Sequence, residues 1–137
     1  MTAFTATFPI RFAHVDPAGI VFYPRYFELL NAAVEDWFAA MGSGFRALHL
    51  GERLGTPTVS LTIEFTAPAQ LGDRLTFVLD ARHVGRSSCR FSFAAAVAGE
   101  TKLTGEAVLV CMDLDRRRAV PWPEPLRAAL CAALAAS

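Results

Sequence analysis

The sequence predicts an α+β fold in which a curved antiparallel sheet of about five strands wraps around one long helix. Three observations carry this. Apolar residues recur at three- and four-residue steps from Pro24 to about Met41. After Pro57 the period drops to two and stays there through four successive stretches. Those stretches are joined by turns too short for a crossover helix, so they are expected to pair antiparallel. A helix apolar over so much of its surface needs a sheet to cover it.

In chain order, Phe4, Ala6, Phe8, Ile10 and Phe12 alternate with Thr5, Thr7 and Arg11, predicting a strand from about Thr5 to Ala13. Pro9 marks it as an edge or a bulge. Asp16-Pro17-Ala18-Gly19 then fits a type I turn: Asp accepts a local N–H, Pro presets φ, and Gly closes the turn. Pro24 suits the first helical position, where its missing N–H has no intrahelical partner. The helix that follows presents Tyr26, Phe27, Leu30, Ala33, Val34, Trp37, Phe38 and Met41, and Gly42 and Gly44 stop it. Phe45 to Leu50 reads as a short second helix before a loop at Gly51 to Gly55.

Val59, Leu61, Ile63 and Phe65 alternate with polar residues in a strand that stops at Pro68. Leu75 to Ala81 form the next. Gly85 marks a hairpin into Cys89 to Val97, and Gly99-Glu100 marks another into Leu103 to Asp113. Pro123 to Ala135 reads as a short amphipathic helix.

With 137 residues, the chain is expected to form one domain over 1–137. Lys plus Arg and Asp plus Glu both count 13, so no broad basic field favours nucleic acid or an anionic membrane. No apolar run approaches the roughly 18 residues of a membrane span, and the 53% hydrophobic content points to a generous core or a subunit interface. A homo-oligomer is expected. Cys89, Cys111 and Cys131 are odd in number and widely spaced, which fits buried thiols better than disulfides or zinc. The N-terminal stretch lacks the pattern of a signal peptide, so the expected location is cytoplasmic.

The chemistry is expected where the turn feeds the helix. Asp16 places a carboxylate just ahead of a helix start. Unpaired N–H groups near Tyr23, Arg25 and Tyr26, with the positive end of the helix dipole, form an anion or oxyanion site. A base or nucleophile beside backbone donors suits acyl transfer.

These residues also carry a family resemblance. Asp16 to Pro24 (Asp-Pro-Ala-Gly-Ile-Val-Phe-Tyr-Pro), Tyr26-Phe27 and Gly55 to Ser60 resemble the 4-hydroxybenzoyl-CoA thioesterase family of hot-dog proteins. The resemblance implies hydrolysis of acyl-CoA thioesters without metal or bound cofactor. It also implies homodimers or homotetramers whose active sites lie at subunit interfaces. Carried over, the family's catalytic aspartate falls on Asp16, and its carbonyl-polarising amide on Tyr23. Asn31 stands where the 4-hydroxybenzoyl enzyme has an aspartate for the ring hydroxyl; an amide accepts that bond more weakly, which brings benzoyl and other aroyl groups into range. The hairpin Val84 to Ser88 resembles the nucleotide-phosphate contact with fewer cations, leaving Arg86 and Ser88 for the CoA phosphates.

Other candidates are weighed against simpler roles. His14 would share a side with Asp16 if the strand continued, but a structural histidine is the favoured reading. Arg25 sits where a cation opposes the helix dipole, which suits a ligand phosphate, a cross-subunit partner or plain solvation equally. Arg116-Arg117-Arg118 is flanked by Asp113 and Asp115, so a charged turn is the commoner explanation. His49 and His83 have no metal-ligand partner at useful spacing, and no zinc is expected. Phe22 and Phe45 are the aromatics expected to line an acyl pocket, with Gly19, Thr58 and Ser60 as further substrate contacts. The reading is an acyl-CoA thioesterase for an aromatic acyl group of the 4-hydroxybenzoyl or benzoyl type. The alternatives are a short-chain acyl-CoA thioesterase and a non-catalytic acyl-CoA or acyl-carrier binding module.

Overall fold

A computed structural model describes residues 3–134. Ala135, the expected end of the last helix, lies outside them. The first strand, β1 (Phe4–Pro9), is shorter than its alternation suggests. Pro9 is its last paired residue, opposite Arg74, because a proline gives the ladder no donor. The Ile10 N–H then bonds the Asp73 carbonyl at 2.7 Å, and the Ile10 carbonyl accepts from Gly72 at 2.9 Å. Ile10 is thereby buried while Phe12, in a 3-10 turn over Phe12–His14, is 82% exposed.

The long helix α1 (Pro24–Ala40) forms where the apolar spacing places it, with Pro24 at its start. Tyr26, Leu29, Leu30, Ala33, Val34, Trp37 and Phe38 are buried along one side. The expected helix over Phe45–Leu50 is instead a π turn, Arg46–Gly51, with Leu48 buried. Beyond it come β2 (Leu54–Gly55), β3 (Thr58–Phe65), β4 (Arg74–Val84), β5 (Ser88–Val97) and β6 (Glu100–Val110). The five long strands form one antiparallel sheet in the order β1-β4-β5-β6-β3.

The last long strand was expected to reach Asp113, but β6 stops at Val110. At Cys111 the N–H goes to the Ser87 carbonyl and the carbonyl to the Val120 N–H, which takes the chain off the ladder. Met112–Asp113 (β7) then pairs with β2 and with Arg118–Ala119 (β8) in a small second sheet. Between β7 and β8 the Asp113 carboxylate accepts the Asp115 and Arg116 N–H groups. The Arg116 amide is the main cause that holds the Asp113 carboxyl below its ordinary value. The arginine run is thus a charged turn. Helix α2 (Glu124–Ala132) closes the described chain, with Leu126 and Leu130 buried.

The buried face of α1 packs on the apolar face of the sheet. Trp37 meets Phe91 at 5.6 Å between ring centroids, and Phe38, Phe77, Leu103 and Leu109 belong to the same cluster. Cys89 and Cys111 are free thiols within it, and burial pushes them up to about 12 and about 11. Edge strand β3 differs. Val59, Leu61 and Phe65 are 61%, 39% and 45% exposed on a strand with an unpaired side.

Candidate active site

The Asp16 turn is built by its own backbone. The Gly19 N–H donates to the Asp16 carbonyl at 2.9 Å, and the Ala18 N–H to Asp16 Oδ1 at 2.9 Å. Gly19 sits at φ +80°, a conformation L side chains resist, so glycine closes the turn. Val15 and Val21 pair as an antiparallel bridge, and the Asp16 N–H donates to the Ile20 carbonyl, making the turn the tip of a tight hairpin. That hairpin is strapped to the segment before β4: Val21 N–H bonds the Ala69 carbonyl, and Leu71 N–H bonds the Gly19 carbonyl. One carboxylate oxygen therefore fixes the loop. Oδ2 has no partner among the described residues.

At the helix start the expected set of free donors narrows to one. The Arg25 and Tyr26 N–H groups close the first turn on the Phe22 and Tyr23 carbonyls at 2.8 and 3.1 Å. Tyr23 already has helical φ and ψ, which is why the residues after it find partners so early. The Phe22 N–H goes to the His14 carbonyl. Among the described residues the Tyr23 N–H alone of these is unpaired, at the positive end of a 17-residue helix. The Tyr26 hydroxyl accepts the Ala69 N–H at 3.1 Å and anchors the turn beneath.

His14 and Arg25 are engaged locally. His14 Nδ1 accepts the Arg11 N–H at 2.8 Å, which caps the 3-10 turn and leaves Nε2 as its N–H donor. Arg25 pairs with Glu28 one turn on, at 3.0 Å on an exposed face. Phe22 is 48% exposed and edge-on to Tyr23 at 5.6 Å.

A separate cavity of about 540 Å³ lies further along α1. Phe27, Leu30, Asn31 and Val34 form its helix wall; Phe45 and His49 come from the π turn and its start. Gly55 to Thr58 and Leu61 close it from β2 and β3, with Met112 and Leu114 beyond. Asn31, Phe45 and Thr58 are thus brought together in one lining. Ser60 is not in the lining, because a bulge between Thr58 and Ser60 inserts Val59 and gives Leu61 the cavity-facing place. Phe22 is absent from the lining too.

Along the helix axis Asn31 is eight residues past Tyr23, about 12 Å at 1.5 Å per residue. Arg86 and Ser88 are farther still. The Asp16 hairpin is strapped beside the start of β4, whereas Arg86 and Ser88 lie at the turn after its far end, about 30 Å away along the strand. Trp122 holds that turn by donating its backbone N–H to the Arg86 carbonyl and Nε1–H to the Ser88 carbonyl, both at 3.0 Å. Within one chain the candidate residues thus fall into three places. Among the described residues no cluster of three His, Cys, Asp or Glu is placed to hold a metal ion, and no helix is long and apolar enough to cross a membrane.

His49 was considered in the sequence only as a metal ligand, and Leu61, Met112 and Leu114 were not expected to line a pocket. A signal for His49 existed in its spacing of four from Phe45, which puts the two on one face of a helical turn. The others come together only through the bulge and the second sheet.

Comparison with known proteins agrees with this architecture. The chain is 26% identical over 133 residues to a 1,4-dihydroxy-2-naphthoyl-CoA hydrolase of Synechocystis, covering 96% of each. It is 32% identical over 123 residues to a 4-hydroxybenzoyl-CoA thioesterase of Pseudomonas, covering 83% of this chain and 87% of that one. The crystal structure of the 1,4-dihydroxy-2-naphthoyl-CoA thioesterase Slr0204 from Synechocystis superposes with a TM-score of 0.85 at 24% identity, covering 94% and 96% of the two chains. Residues 10–130 match the thioesterase-like superfamily, and the chain belongs to that family of thioester hydrolases.

Proposed function

We propose that this protein hydrolyses an aromatic acyl-CoA thioester to the free acid and CoA, with Asp16 and the Tyr23 amide as its catalytic groups. One observation carries the reading: a turn-fixed carboxylate with one free oxygen sits at the tip of a hairpin whose returning strand runs directly into an unpaired N–H at the positive end of a long helix. The N–H stabilises negative charge on the thioester oxygen as the carbonyl carbon is attacked. Asp16 either takes the proton of the attacking water or attacks the carbon itself. In the second route the thiolate leaves with a proton and water then cleaves the anhydride. Neither route calls for a metal or a cofactor.

The acyl group is proposed to fill the apolar cavity of a second copy of the chain. Neither Asp16 nor Tyr23 lines the cavity of its own chain, so the hairpin and the cavity are separate half-sites within one copy. Antiparallel pairing of two exposed β3 edges would set the Phe65 end of one copy beside the Thr58 end of the other. Phe65 is within 6.5 Å of Tyr23 ring to ring, and Thr58 lines the cavity, so this homodimer joins the two half-sites. It also carries Arg86 and Ser88 to the end where the other copy's Asp16 turn lies, in reach of CoA phosphates. The sheet of each copy is read as curling around α1.

The names of the relatives favour aroyl groups of one or two rings, and 540 Å³ lies within the range of small-molecule pockets. The test is release of free thiol from 1,4-dihydroxy-2-naphthoyl-, 4-hydroxybenzoyl-, benzoyl-, phenylacetyl- and short straight-chain acyl-CoA. Fast turnover of the aroyl esters is the expected result. Preference for straight chains would replace the substrate class, and binding without thiol release would replace the enzyme by a binding module.

A further inference from the structure

We infer that His49 is a specificity-determining residue whose Nε2 accepts a hydrogen bond from a hydroxyl group on the ring of the acyl moiety. The inference rests on the reading that an aroyl group fills the cavity, and it names the class: hydroxylated aroyl thioesters.

The π turn brings His49 against Phe45, with ring centroids 4.8 Å apart on the cavity wall. Nδ1 lies 2.9 Å from the Phe45 carbonyl oxygen. A carbonyl oxygen can only accept, so Nδ1 carries the proton. A neutral imidazole has only one, and Nε2 is left as an acceptor. No group among the described residues donates to it. Its setting is carbon: it lies 3.8 Å from the point where a side-chain carbon on Gly55 would sit, and Leu114 Cδ2 reaches within 2.7 Å of that same point.

In the open cavity water can donate to this half-buried acceptor, and a bound ring that displaces the water without supplying a donor of its own leaves Nε2 unpaired. An aliphatic chain, a plain aromatic ring or a carboxylate brings none. A ring hydroxyl brings one. Asn31, in the helix wall of the cavity, offers a second polar point, so a hydroxylated ring can be read at two positions while its faces meet Phe27 and Phe45.

The experiment compares kcat/KM for matched CoA esters with and without a ring hydroxyl, 4-hydroxybenzoyl against benzoyl and 1,4-dihydroxy-2-naphthoyl against 2-naphthoyl, in wild type, His49→Phe and His49→Gln. The Phe variant keeps an aromatic ring and removes the acceptor; the Gln variant keeps an acceptor. Wild type is expected to favour the hydroxylated member of at least one pair, and His49→Phe to lower that ratio by about tenfold. His49→Gln is expected to recover part of it. Because the ratio cancels any general loss from the missing Nδ1 bond, an equal fall for both esters, an unchanged ratio, or no preference in wild type would overturn the assignment. If wild type released no thiol from any ester, the thioesterase reading would fail. Calorimetric binding of the free 1-hydroxy-2-naphthoate and 2-naphthoate to wild type and His49→Phe would then decide the His49 assignment by the same ratio.

Discussion

The start and the middle of α1 are built by different means. At its start the candidate groups are set by backbone: an Asx-type turn, a glycine at φ +80° and an N–H left over by the helix. Around its second and third turns they are set by packing, and the cavity draws on α1, the π turn, β3 and the second sheet. A backbone-built site tolerates side-chain change except at the reacting group and the strained position. A packed cavity changes what it accepts with nearly every lining residue. Catalysis should therefore be concentrated in a few residues of the hairpin, and selectivity spread over the cavity.

Substitutions can break or sharpen this contrast. Asp16→Asn is expected to have the largest effect, lowering thiol release by about a hundred- to ten-thousand-fold. Its amide oxygen can still accept the Ala18 N–H, so the melting temperature should hardly change. In the cavity, Asn31→Asp places a stronger acceptor on the helix wall. Turnover of hydroxylated over plain aroyl esters should rise by up to about tenfold with little effect on the better ester's kcat. Equal effects of the two substitutions on both esters would erase the distinction.

Gly19→Ala tests whether the hairpin is strained at its tip. A Cβ there meets no atom within 4 Å, so the cost is conformational, about 1–2 kcal/mol of stability measured by denaturant unfolding. The turn should also reposition the carboxylate, lowering kcat more than it raises KM. The smallest effect is a pH trend belonging to the core beneath both regions. Burial raises the Cys89 and Cys111 thiols in the folded state to about 12 and about 11, above the ordinary thiol range. The unfolded chain therefore releases those protons first, and the thiols' contribution to stability should be flat below about pH 9 and decline as pH rises toward 12. Cys89→Ala, followed by thermal melts across that range, should make the decline shallower.

Much of the fold was legible because it rests on period and punctuation. The switch from helical to alternating spacing, Pro24 and the glycine turns located α1 and the long strands within a few residues. Where other forces took over, legibility failed. The alternation runs on through Phe12, but Pro9 ends the ladder and Ile10 is drawn to Asp73 and Gly72. Alternation likewise says nothing of Cys111 leaving β6 for Ser87 and Val120, so the second sheet was missed. At the candidate site, the Asp16 turn and a free N–H near the helix start were legible because both are local in sequence. That Arg25 and Tyr26 would use their own N–H groups depended on Tyr23 being helical already. The bulge at Val59 moved Ser60 out of the cavity, and a one-residue shift of that kind leaves no composition signal.

The central claim, that the hairpin of one copy acts on an acyl group held in the cavity of another, can be tested by mixing two inactive variants. One carries Asp16→Asn and the other Asn31→Trp, which fills the cavity. Each is assayed alone for aroyl-CoA thiol release, then both are unfolded together, refolded and assayed again. In a two-fold dimer with shared sites, the mixed species holds one intact site, so about a quarter of wild-type activity should return. If the mixture stays as inactive as its components while mixed dimers are present, each chain uses its own cavity and the account is wrong.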